Sequence, residues 1–221
     1  MASSPCDLVI FDCDGVLVDS EAIANATLAA ALSEWGLAIT GAEARARWIG
    51  RSMKSVGIEL RAELGDRLPD GWLEEVEARD FALFRERLEA VPHVRGAVEA
   101  VQAAGLATCV ASSGSHAKME VTLGVTGLRP LFEGRVFSAR EVARGKPHPD
   151  LFLYAAARMG VPAERAVVIE DSPAGVAGAV AAGMRVLGYA GDALTEREAL
   201  AAAGAVLFDD MREVPRLLGL G

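Results

Sequence analysis

Short apolar runs recur along the chain, each closed by a polar or glycine-rich turn. They fall at 8–11, 107–111, 135–137, 166–169, 186–187 and 205–208. Runs of this length bounded by turn residues read as buried strands. Between them, apolar residues return at helical spacing over 95–104, 116–123, 150–159, 174–182, 196–203 and 212–218. Strand and helix alternate through this half. The pattern predicts an α/β fold, a parallel sheet with helices on both faces.

The first half breaks that rhythm. From about residue 20 to 91 there is no convincing strand and much helical periodicity. The stretch 21–35 carries Ile23, Leu28 and Leu32, and 73–88 reads as a long amphipathic helix. Thr40-Gly-Ala-Glu43 has the spacing of a capping box opening another helix. An all-helical insertion after the first strand predicts a cap domain at 19–91. The core is then built from 1–18 and 92–221, with linkers near 18–20 and 89–92.

Composition narrows the function classes. Hydrophobic residues make up 52% of the 221, enough for a substantial core. The net charge of −9 argues against nucleic-acid and anionic-membrane surfaces. No apolar run approaches the ~20 residues of a membrane span, and the N-terminus lacks a signal-peptide pattern. Cys6, Cys13 and Cys109 match neither a disulfide framework nor a zinc site. These features predict a reduced, cytoplasmic setting and a monomer or small homo-oligomer.

Candidate chemistry lies at the strand ends, where open parallel sheets bind ligands. The first run ends in Asp12 and Asp14, spaced i and i+2, so both carboxylates point the same way. Acids beside four apolar residues need a partner or a metal, and Gly15 lets the backbone turn sharply after them. The second run closes on Ser112-Ser113-Gly114-Ser115, and the fourth on Glu170-Asp171. Lys146 stands in a loop with Pro147 and Pro149. Four acids, several hydroxyls and one lysine around a crevice suit phosphoryl transfer. Asp12, Asp14 and Asp171 are hard oxygen ligands of the kind Mg2+ takes. Ser112 could donate to a phosphoryl oxygen, and a carboxylate can attack phosphorus while a second moves the proton.

Four segments, FDCDGVLVDSE, VASSGS, GKPHPD and VVIEDSPAGVAGAVAAGM, occur in that order. Together they resemble the haloacid dehalogenase superfamily, and within it the helical-cap sugar phosphatases and β-phosphoglucomutases. The cap opening and VASSGSHAKM are similar to 6-phosphogluconate-phosphatase-like members. The resemblance implies a Rossmannoid core with a helical cap. It makes Asp12 the nucleophile, Asp14 the general acid/base, Ser112 the phosphate-binding hydroxyl and Lys146 the charge neutraliser. It also implies Mg2+ held by Asp12, Glu170, Asp171 and the Asp14 carbonyl. Ser113 and Gly114 are expected to contact substrate through backbone or side chain, and Arg51 is the cap residue expected to reach it.

Related mutases carry a histidine twelve residues after the nucleophile, where this chain has Ala24, and its first histidine is His93. Dehalogenases proper attack carbon and lack the second acid, so Asp14 argues for phosphorus. The expectation is a Mg2+-dependent phosphatase of small phosphorylated metabolites, sugar or sugar-acid phosphates, working through an aspartyl-phosphate. A β-phosphoglucomutase-type mutase is the alternative, and a non-catalytic binding module is the third reading.

Overall fold

The computed structural model describes residues 6–48, 53–192 and 195–220. The chain opens with β1 (Leu8–Phe11) and then runs through four helices, α1 (Glu21–Glu34), α2 (Gly41–Trp48), α3 (Met53–Leu64) and α4 (Trp72–Arg87). It returns to strands alternating with helices, starting with α5 (Val94–Ala103), β2 (Ala107–Ser112), α6 (His116–Val125) and β3 (Val136–Ser138). Next come α7 (Asp150–Arg158), β4 (Ala166–Glu170), α8 (Pro173–Ala181) and β5 (Arg185–Tyr189), and α9 (Arg197–Ala202), β6 (Val206–Phe208) and α10 (Val214–Leu217) close the chain. Two compact units result, Met1–Asp19 with Glu89–Gly221, and Ser20–Leu88.

In the first unit the strands form one sheet of order β3-β2-β1-β4-β5-β6, parallel at every pairing. All four residues of β1 are buried, which is why the run is continuously apolar rather than alternating. Leu8 and Ile10 face a core cluster that includes Leu151, Phe152, Val176 and Ala179 from α7 and α8. On the other side, Phe11 meets Phe132 edge-on with ring centroids 5.9 Å apart. Because β1 lies between β2 and β4, its end delivers Asp12 and Asp14 between Ser112 and Glu170. The Asp12 amide extends the ladder by one bond to the Ile169 carbonyl, 3.0 Å.

The chain leaves and re-enters this unit through adjacent segments. The Asp19 amide donates to the Glu89 carbonyl and the Val91 amide to Leu17, both at 3.0 Å. The helical unit has its own core, built from Leu28, Leu32, Trp48, Leu60, Leu68 and Trp72. The capping box forms as its spacing predicts, with Thr40 N–H donating to Glu43 at 2.8 Å and Glu43 N–H to Thr40 Oγ1 at 3.2 Å. Helix α3 is the element that the pattern did not predict. No helix among the described residues is long and apolar enough to cross a membrane.

Candidate active site

Three strand ends and two loops meet above the centre of the sheet. Lys146 Nζ donates to Asp12 Oδ1 at 2.5 Å, Glu170 Oε1 at 2.5 Å and the Ala111 carbonyl at 3.1 Å. These are all three donors of an ammonium group. The lysine side chain is only 6% exposed and its head lies 5.3 Å from the Phe152 ring centre. It is a fixed internal cation rather than a mobile loop lysine.

Glu170 is wholly buried, and its second oxygen, Oε2, is equally committed. That oxygen accepts from the Asp171 amide at 3.1 Å, the Ser172 amide at 3.0 Å and Ser172 Oγ at 2.9 Å. Ser172 in turn caps α8 by accepting from the Gly175 amide at 3.0 Å, with Pro173 opening the helix. Asp171 lies against the turn after β1. A Cβ placed on Gly15 would stand 1.9 Å from its Oδ2, and Gly15 has φ +78. Glycine is required there on both counts.

Asp12, Glu170 and Asp171 each offer a carboxylate oxygen within 4.8 Å of the others. An all-oxygen set of hard donors fits Mg2+ rather than zinc or copper. With all four carboxylates ionised, Asp12, Asp14, Glu170 and Asp171 against Lys118 and Lys146 leave two negative charges, which one divalent cation would balance. Burial is the largest influence on Asp12 and raises its pKa from 3.8 to about 7, against the pull of Lys146 and with Glu170 and Asp14 adding to it. Burial also works to lower Lys146, but the charges of Asp12 and Glu170 outweigh it and its pKa is raised.

Asp14 points elsewhere. Its Oδ1 pairs with Lys118 Nζ at 2.8 Å, and both side chains are about one-quarter exposed, 25% and 26%. Between Asp14 and β2 lies the serine loop. Ser112 is buried, its Oγ accepts from the Gly114 amide at 3.0 Å, and Gly114 is half-buried. A Cβ on Gly114 would lie 3.2 Å from Ser112 Oγ and 3.7 Å from Asp14 Oδ2, so this loop borders both groups. Ser113 is exposed. Arg51 lies outside the described residues. Cys13 alternates away into the core, 3.8 Å from Thr122 Oγ1, and burial pushes its thiol well up.

Sequence reasoning missed Lys118. Its signal was Ser115, which caps α6 by accepting from the Lys118 amide at 3.2 Å. Reading that cap would have set Lys118 in the first turn of a helix rising from the site. His116 and Glu141 also pair, at 3.0 Å, behind the serine loop.

Residues 6–183 match the family model described as haloacid dehalogenase-like hydrolase. The chain is 32% identical over 187 residues to the 6-phosphogluconate phosphatase of Escherichia coli (strain K12), covering 84% of this chain and 83% of that protein. It is 30% identical over 214 residues to the phosphorylated carbohydrates phosphatase of Thermotoga maritima, covering 96% and 98%. A crystal structure of a haloacid dehalogenase-like protein from Agrobacterium tumefaciens str. C58 superposes with a TM-score of 0.84 at 34% identity, covering 97% and 98%.

Proposed function

The chain belongs to the haloacid dehalogenase-like hydrolase family, and from that premise we propose that it is a Mg2+-dependent phosphatase of phosphorylated sugars or sugar acids. The observation that carries this reading is the buried Asp12–Lys146–Glu170 group with Asp171 beside it. Asp12 is the nucleophile. One of its carboxylate oxygens attacks phosphorus, the ester P–O bond breaks with its electrons passing to the alcohol oxygen, and Asp14 gives that oxygen a proton. The aspartyl-phosphate on Asp12 is then hydrolysed when Asp14 takes a proton from water and the hydroxide oxygen attacks phosphorus. Inorganic phosphate leaves and Asp12 is restored.

Ser112 donates a hydrogen bond from its hydroxyl to a phosphoryl oxygen, and Lys146 holds Asp12 in line while offsetting charge. Asp12, Asp171 and the Asp14 carbonyl are the assigned Mg2+ ligands, with Glu170 either a ligand or the anchor of Lys146 and the β4 loop. Bound there, Mg2+ would stabilise negative charge on the transferring phosphoryl group. Lys118 keeps the Asp14 carboxylate oriented. Substrate choice is assigned to the helical unit, Arg51 included. Ala24, in place of the mutase histidine, favours hydrolysis over phosphate exchange.

The test is phosphate release from a panel of sugar and sugar-acid phosphates, with Mg2+ and with EDTA. β-Glucose 1-phosphate plus its bisphosphate is followed for isomerised product in the same panel. Mg2+-dependent release without isomerisation is expected. Isomerised sugar phosphate with little free phosphate would establish the mutase, and neither product would leave only a binding module.

A further inference from the structure

Ser138 ends β3 directly beside Ser112, its register partner on β2. It is completely buried, yet none of the chemistry above uses it. Its hydroxyl donates to the Gly114 carbonyl at 2.6 Å and accepts from the Arg140 amide at 3.2 Å. A hydroxyl has one proton, and with an amide already pointing at its oxygen, that proton is committed to Gly114. The same logic repeats one step closer to the site. The Gly114 amide points at Ser112 Oγ, so the Ser112 proton is directed away from the loop. Ser138 thus holds the peptide following Gly114 while Ser112 holds the one preceding it, and the backbone of Gly114 is pinned on both sides.

Ser138 is itself braced. Glu141 Oε2 accepts from the Ser138 amide at 2.6 Å and pairs with His116 at 3.0 Å, while Tyr154 donates to Oε1 at 3.0 Å. One carboxylate therefore ties β3, α6 and α7 together behind the loop. A glycine at the centre of the loop would otherwise sample many conformations, and a hydrogen-bond donor to a phosphoryl oxygen must be held to a fraction of an ångström.

We propose that Ser138 is a positioning residue for phosphoryl transfer, acting through Gly114 to aim the hydroxyl of Ser112. The proposal rests on the role given to Ser112 above, and a double-mutant cycle separates the two. Steady-state kinetics are run on the best substrate from the panel, with inorganic phosphate as the product inhibitor and thermal denaturation alongside. Removing one positioned donor typically costs roughly 100-fold in kcat, which is the expectation for Ser112→Ala. Misaiming that donor should cost roughly 10-fold in kcat for Ser138→Ala, in keeping with the sensitivity of catalysis to small displacements. Phosphate inhibition should weaken in parallel.

In the Ser112→Ala background, Ser138→Ala should cost no further activity, because there is no hydroxyl left to aim. A further ~10-fold loss in that background would overturn the proposal, since Ser138 would then act by another route. So would full activity in Ser138→Ala alone. Full activity in Ser112→Ala would overturn the role of Ser112 first, and this proposal with it. Should Ser138→Ala fail to fold, Glu141→Gln leaves Ser138 in place and loosens its brace. It should show a smaller kcat loss that likewise vanishes without the Ser112 hydroxyl, and a loss that persists there would count against the proposal. A merely structural serine would lower the melting temperature without this dependence on Ser112.

Discussion

Asp12→Asn separates what Asp12 does for chemistry from what its charge does to the fold. The Asp12 side chain is 10% exposed, and its pKa is raised from 3.8 to about 7 chiefly by burial. The folded protein therefore holds the Asp12 proton more tightly than the unfolded chain does. That contribution to stability is complete below about 4 and is lost as pH rises through about 7. Each unit is worth 1.36 kcal/mol, so ionising Asp12 in the metal-free fold costs up to about 4 kcal/mol. Asparagine keeps the shape and an oxygen for Lys146 but carries no charge. Without metal, the variant should gain on wild type by roughly 3 kcal/mol between pH 5 and pH 8, a ceiling of about 6–12 °C in melting temperature for a chain of this size. The assay is thermal denaturation of both proteins in EDTA at those two pH values. Adding Mg2+ should raise the wild-type midpoint at pH 8 far more than the variant's, and the variant's phosphate release should fall by roughly 10^4-fold or more. A stability difference that stays flat with pH, or widens in favour of wild type, refutes the strained-carboxylate argument. A fall in turnover far short of that refutes the nucleophile.

Asp171→Ala should raise the Mg2+ concentration for half-maximal activity by roughly 10- to 100-fold, measured by metal titration of phosphate release. An unchanged titration would remove Asp171 from the ligand set. Lys118→Met should lower kcat by roughly 10-fold as the Asp14 carboxylate loses its orientation. The pair is partly exposed, so its stability cost should stay within about 1 kcal/mol, and a larger loss in urea denaturation would make it a structural bridge. Ser172→Ala removes the α8 cap and one donor to Glu170, so it should cost about 1–2 kcal/mol by the same measurement. A neutral result would show that the loop re-caps itself.

How much of this was legible in the sequence follows from how each residue meets water. Strands β1 and β4 at the centre of the sheet are buried on both faces, so they stand out as apolar runs, and β1 was readable to the residue. Helix α3 was not. It buries Val56, Leu60 and Leu64, but Gly57 interrupts the stripe and Ile58 is 68% exposed on the other side, which blurs the helical period. At the site, Asp12, Glu170 and Lys146 were conspicuous because a charge in apolar surroundings needs a reason. Lys118 and Ser138 gave no such warning. A lysine in the first turn of a helix and a serine ending a strand are ordinary surface and capping residues, and Ser138 does cap the turn that follows it. Their second contacts, to Asp14 and Gly114, come from chain segments 104 and 24 residues away. Only the assembled sheet brings those segments together.

The glycines of the motifs carry the same lesson in reverse, since their meaning lies in what stands opposite them. Gly175 sits in the first turn of α8, where alanine ought to be favoured by roughly 1 kcal/mol. Yet a Cβ there would lie 1.8 Å from Glu170 Oε1 and 1.9 Å from its Cδ. Glu170 cannot swing aside, because Lys146 holds one oxygen and the Asp171–Ser172 loop holds the other. Overpacking of this kind costs about 1–3 kcal/mol, so Gly175→Ala should destabilise the protein on balance and also weaken its Mg2+ titration. Gly96 provides the contrast within the same fold. It lies inside α5 with nothing within 4 Å of a built Cβ, so Gly96→Ala should stabilise by up to about 1 kcal/mol and leave the metal titration alone. Urea denaturation and Mg2+ titration of the two variants decide the matter. If both alanines stabilise, Glu170 is free to move, and the rigid Asp12–Lys146–Glu170 group on which the proposed chemistry depends is not rigid.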